Sequence, residues 1–89
     1  MTQEQKAAVE GIKAAVKQYI LDEFLPGANA ADLADDTPLI TGGILDSLAT
    51  VKVVAALEEQ YGIEIQPHEA SVDYFNTIAD IAQLVRGKL

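Results

Sequence analysis

The sequence has no cysteine and no tryptophan, a single histidine, and only six basic residues against fourteen acidic ones. Each shortage removes a class of function. Without cysteine there is no disulfide and no thiolate metal site, and the chain is compatible with a reducing compartment. Six basic residues in a chain of net charge −8 cannot build the patch that holds a nucleic-acid backbone. An anionic membrane surface is disfavoured for the same reason. No apolar run approaches the roughly 20 residues that span a bilayer, so no membrane insertion is expected. Residues 1–17 are polar and amphipathic, unlike a secretory signal, and the chain is expected to be cytoplasmic, unprocessed and free-standing. What remains is 89 residues, 49% of them hydrophobic, which suits one domain over residues 1–89. An acidic surface of this kind meets protein partners with basic patches.

Thr2 and Gln5 have capping-box spacing, which predicts a helix from the start of the chain. Val9, Ile12, Val16, Tyr19 and Ile20 recur every three or four residues, with Lys6, Glu10, Lys13 and Lys17 mostly opposite. The pattern runs to about Phe24, where Pro26-Gly27 ends it. Residues 25–45 show no clean period, but Leu33, Leu39, Ile40, Ile44 and Leu45 are spaced to pin a long loop onto a core, and Asp32-Leu33 predicts a short turn. The acids Asp32, Asp35 and Asp36 lack the alternating oxygen ligands and closing Glu of a calcium loop, so they read as solvated surface and no metal is expected.

A second helix is expected from about Ser47 to Tyr61, closed by Gly62. Leu48, Val51, Val53, Val54, Ala55, Leu57 and Tyr61 form a broad apolar arc, which leaves Ala49, Lys52, Ala56 and Glu59 as a narrow exposed one. Glu69 to Phe75 predicts a turn or short third helix anchored by Val72, Tyr74 and Phe75. Thr77 and Asp80 cap a last helix through Ile78, Ile81, Ala82 and Val85, with Arg86 and Lys88 at its end. No strand pattern is convincing. The expected fold is all-α, a four-helix bundle with a long first loop and a short third helix.

Asp46-Ser47 is the place where chemistry enters. From local chemistry alone, Asp46 is an N-cap and Ser47 an ordinary first-turn residue. A hydrolytic serine needs a base and an oxyanion site. The chain offers only His68, in a connector with nothing to bring it near, and lacks the Gly-x-Ser-x-Gly elbow, so no catalytic residue and no enzyme is expected. A third reading is modification, since helix-start amides and dipole favour an attached phosphate.

The run Gly43-Ile44-Leu45-Asp46-Ser47-Leu48, with Thr50-Val51, Leu57-Glu58-Glu59 and Tyr61-Gly62-Ile63, resembles the phosphopantetheine attachment region of acyl carrier proteins. The resemblance extends over the long loop, Ile63-Glu64-Ile65 and the Phe75-Asn76-Thr77-Ile78 lead into the last helix. It implies that Ser47 bears 4′-phosphopantetheine, transferred from coenzyme A, with Asp46 serving transferase recognition as well as the cap. It implies a monomeric carrier holding acyl or aminoacyl groups as thioesters, of the kind used in fatty-acid, polyketide or nonribosomal-peptide biosynthesis. Its partners would be a phosphopantetheinyl transferase, a loading ligase and downstream acyl-transfer enzymes. The rival from another class is an unmodified acidic helical interaction module.

Two departures from the fatty-acid pattern stand out. Two residues, not one, separate Gly43 from Asp46, a spacing more similar to D-alanyl, aminoacyl or other specialised stand-alone carriers. Ala49 and Lys52 also stand where acids are expected. The docking residues are then Leu48, Ala49, Lys52, Ala56 and Glu59, a nearly neutral set. Val53, Ala56, Leu57 and Ile63 either line a gap for a short acyl chain or are plain core.

Overall fold

The computed structural model describes residues 3–89. Four α-helices follow in order, α1 (Gln3–Phe24), α2 (Ser47–Tyr61), α3 (Val72–Phe75) and α4 (Ile78–Lys88), with 3-10 turns at Ala30–Asp32 and Pro67–Glu69. No strand occurs among the described residues, and the architecture is the all-α bundle expected. The Thr2 cap expected at the start of α1 lies outside the described residues.

α1 and α4 make the most extensive helix pair. α1 buries Val9, Ile12, Val16, Ile20 and Leu21 along one stripe, and α4 buries Ile78, Ile81, Ala82 and Val85 at 0% exposure. Phe75, just before α4, is also fully buried and joins the same core. The Thr77 hydroxyl accepts the Asp80 amide at 3.0 Å, so α4 starts at the cap that its sequence announces. At the other end of α1 the chain turns away through Pro26 and Gly27, whose φ of +90° suits glycine.

The long loop, 25–46, is held by side chains rather than by secondary structure. Leu33, Leu39 and Leu45 are fully buried in the core. Asp35 does more than the solvated surface role expected of the acidic cluster. Its carboxylate meets Lys13 at 3.3 Å and Lys17 at 3.5 Å on α1, and its carbonyl accepts the Ala79 amide of α4 at 3.1 Å. The reason is position: these groups converge where the loop passes over the α1–α4 pair. Asp32 meanwhile accepts the Asn29 amide at 3.2 Å and closes the first 3-10 turn.

α2 has the expected boundaries. Gly62 ends it in the left-handed conformation, φ +64°, with its amide on the Glu58 carbonyl at 2.9 Å. Its rotation about its own axis differs from the expected one. The buried residues are Ala49, Thr50, Val53 and Leu57, whereas Leu48 is 65% and Val51 61% exposed. Ala49, expected on the exposed arc, is only 7% exposed. Small Ala49 lets the helix start lie close to the core. Thr50 can be buried because its hydroxyl donates to the Asp46 carbonyl at 2.9 Å, which leaves no unsatisfied polar group.

The segment between α2 and α4 is short and tied at several points. Ile65 is buried, and its amide donates to the Glu58 carboxylate at 3.0 Å. Glu69 accepts the Gln66 amide at 2.8 Å and pairs with Lys88 of α4 at 2.8 Å. The third helix anticipated over 69–75 is split into the second 3-10 turn and the four-residue α3. Of its three expected anchors only Phe75 is buried. Val72 and Tyr74 point outward, because so short a helix can turn just one side chain into the core.

Candidate functional site: a serine ridge between two hollows

Ser47 is the first residue of α2 and is exposed. Asp46 precedes it in extended conformation, φ −83° and ψ −175°, and its carboxylate accepts the Ala49 amide at 2.7 Å. The Asp46 carbonyl accepts the Thr50 amide at 2.9 Å. These bonds fix the first turn and leave the Ser47 and Leu48 amides, with the positive end of the helix dipole, turned toward solvent.

An open hollow lies on either side of this ridge. The larger, about 660 Å³, runs from Leu45, Ser47, Thr50 and Val51 across to Pro67, Ser71 and Val72. The smaller, about 240 Å³, is bounded by Phe24, Ile44, Leu48, Ala49 and Lys52. Asp46 lines both. His68 is exposed on its 3-10 turn and lines neither. Among the described residues, no group of three or more acidic or histidine side chains converges as a metal site would require.

The space between the two long helices is far smaller. Between α1 and α2 the space bounded by Val16, Tyr19, Val53, Ala56 and Leu57 is about 10 Å³, room for about one water. Of the four residues read as either the lining of an acyl gap or plain core, Val53, Ala56 and Leu57 close around this space, and Ile63 is not among its neighbours.

The residues expected to dock partners lie only partly at the surface. Leu48, Lys52 and Glu59 are exposed, Ala56 is half-buried, and Ala49 is withdrawn into the core. Val51, which the sequence reading had turned inward, takes the outward place instead, beside Ser47 in the larger hollow. Lys52 has no carboxylate within 4.0 Å among the described residues, unlike Lys13, Lys17 and Lys88. Its backbone carbonyl accepts the Tyr19 hydroxyl at 3.3 Å, a tie between α1 and α2.

The family described as "Phosphopantetheine attachment site" matches residues 21–85, from the last turn of α1 through most of α4. The chain belongs to that family. Membership implies a covalently attached 4′-phosphopantetheine. A solved structure described as "Crystal structure of FAD-dependent dehydrogenase" is also similar. It is 40% identical with a TM-score of 0.70, and the alignment covers 79% of this chain and 97% of the other. The matched chain is therefore shorter than this one.

The residues present fit an attachment-site protein. An exposed hydroxyl sits at a helix start whose free amides would favour a phosphate diester, and the open hollow beside it has room for an extended arm. Sequence reasoning missed the outward Val51 and the Asn76 side-chain oxygen, which accepts the Ile40 and Thr41 amides. For Val51 no signal existed in a helix that is apolar on most sides.

Proposed function

We propose that Ser47 carries the 4′-phosphopantetheine and that the protein presents acyl or aminoacyl cargo to partner enzymes while catalysing nothing itself. The observation that carries this reading is the capped, exposed Ser47 on a ridge between two open hollows, in a chain of the attachment-site family. In the attachment step the Ser47 oxygen attacks the phosphorus of coenzyme A that bears the pantetheine. A serine–phosphorus bond forms, the bond to the nucleotide half breaks, and the hydroxyl proton passes to a base of the transferase. Asp46 holds the first turn so that Ser47 faces that enzyme, and its own exposed carboxylate is available for recognition. When bound, the arm supplies the only thiol of the system, on which cargo is held as a thioester.

Leu48, Val51, Lys52, Ala56 and Glu59 form the docking face. One lysine and one glutamate make it nearly neutral, although the chain as a whole is at −8. Enzymes that dock through basic patches gain little from it, and Lys52 opposes them. The protein is thus a dedicated carrier, acting in the cytoplasm as a monomer, with residues 1–89 as one domain. Its partners are a phosphopantetheinyl transferase, a loading ligase and downstream acyl-transfer enzymes. The similarity to a chain from a structure named for a FAD-dependent dehydrogenase favours one more, a flavin enzyme that oxidises the carried group, taking a hydride onto its flavin and a proton onto a base.

Incubation with coenzyme A and a broad-specificity phosphopantetheinyl transferase, followed by mass measurement, tests the proposal. One phosphopantetheine adduct on wild type and none on Ser47→Ala is the expected result. No adduct on a folded wild type would leave an unmodified interaction module.

A further inference from the structure

Among the described residues Asn76 has the polar side chain with the most hydrogen bonds, and it lies far from Ser47 in sequence. It occupies the single-residue step between α3 and Thr77, the cap of α4. Its side-chain oxygen accepts the Ile40 amide at 3.0 Å, the Thr41 amide at 3.0 Å and the Thr41 hydroxyl at 3.3 Å. Its backbone oxygen accepts the Leu39 amide at 2.6 Å. One residue thus binds three consecutive residues of the long loop.

Those three open a closed turn that ends at the attachment serine. The Leu45 amide returns to the Leu39 carbonyl at 2.9 Å, and the Gly43 amide to the Ile40 carbonyl at 3.1 Å. Inside the turn any side chain at Gly42 would collide with the Pro38 carbonyl, and Gly43 stands at φ +82°. From Leu45, fully buried, the chain passes directly to Asp46 and Ser47. The turn has no strand or helix to hold it, so its position relative to the core depends on Asn76 and the buried leucines.

We propose that Asn76 is the positioning residue for Ser47, clamping the 39–45 turn to the α3–α4 junction so that the serine is presented in one geometry to the transferase. The proposal rests on the reading that Ser47 carries the arm. All three side-chain bonds end on one oxygen, and all three are donated by the loop. An aspartate offers that oxygen equally well; an alanine does not. A misplacement of an ångström at a reacting group is enough to cost large factors in rate.

The experiment measures coenzyme A-dependent modification of wild type, Asn76→Ala, Asn76→Asp and Val85→Ala. The last is a core control on α4, away from the turn. Asn76→Ala is expected to lower kcat/KM for the carrier about tenfold, Asn76→Asp to recover most of it, and Val85→Ala to lose thermal stability with modification unchanged. Amide hydrogen exchange on wild type adds a readout independent of modification. The Ile40 and Thr41 amides are expected to be protected although they lie outside any helix, and this test stands even if Asn76→Ala does not fold. Unprotected amides, an aspartate that fails to rescue, or equal losses in Asn76→Ala and Val85→Ala would overturn the clamp. A wild type that takes no adduct would instead overturn the assignment of Ser47, so the two failures are distinguishable.

Discussion

α4 and the first half of α2 are built from similar material and serve opposite ends. Each begins at an oxygen cap, Thr77 or Asp46, and each is rich in branched aliphatic residues. α4 buries Ile78, Ile81 and Val85 completely against α1. α2 leaves Leu48 and Val51 mostly exposed on either side of Ser47, one at the edge of each hollow. Isolated exposed aliphatics are common; here two of them flank an exposed serine at a helix start. The α1–α4 pair is the scaffold, and in the function proposed above the start of α2 is the part offered to other molecules.

The strongest break in this comparison comes from placing one charge on each side of α2. Val53→Asp places a carboxylate in the buried core and is expected to cost about 4 kcal/mol or more, enough to unfold the domain. Val51→Asp, two residues earlier, is expected to stay within about 0.5 kcal/mol of wild type while weakening productive docking of loaded carrier on its partner enzymes. Chemical denaturation measures the first difference, and turnover by a cognate partner the second. Equal destabilisation would show that α2 is rotated differently. Val54, only half-buried, is a blunter probe of the same face.

A smaller effect separates cap from recognition. Asp46→Ala is expected to lose about 1 kcal/mol and to slow arm attachment. Asp46→Asn keeps the bond to the Ala49 amide, so it should recover the stability and leave only the recognition defect. Attachment kinetics unchanged in both variants would limit Asp46 to capping.

The smallest expected effect concerns the wall of the larger hollow. The Lys88 ammonium, and then the Gln66 amide, hold the Glu69 carboxyl below its ordinary value of 4.5. A lowered folded-state value makes the contribution fully present above the ordinary value and lost as pH falls through the lowered one. Glu69→Gln should therefore melt below wild type at neutral pH, and the gap should close as pH falls under about 4.5. A gap that persists in acid would mean that the ion pair does not secure this segment.

Much of this was legible in the residues, and the exceptions have physical reasons. Proline, glycine and oxygen caps act locally, so the end of α1 near Pro26, the cap at Asp46 and the left-handed stop at Gly62 could be read directly. The Asp-Ser-Leu triplet in its helical setting pointed to the attachment-site family, to which the chain belongs. The rotation of α2 could not be read. Leu48, Val51, Val53 and Val54 are equally apolar, and what turns Val53 inward is the small size of Ala49 and the internally satisfied Thr50 hydroxyl. Asp35 and Asn76 were unreadable for a related reason. Their partners lie 18 to 44 residues away, at Lys13, Lys17, Ala79, Ile40 and Thr41, and no local rule reports such contacts.

Two serines occur in the chain, Ser47 and Ser71, and both line the larger hollow. Fragmentation mass spectrometry of the coenzyme A-treated protein therefore tests the central claim most directly. A single phosphopantetheine on Ser47 is the expected result. An adduct on Ser71, or none on the folded protein, would contradict it.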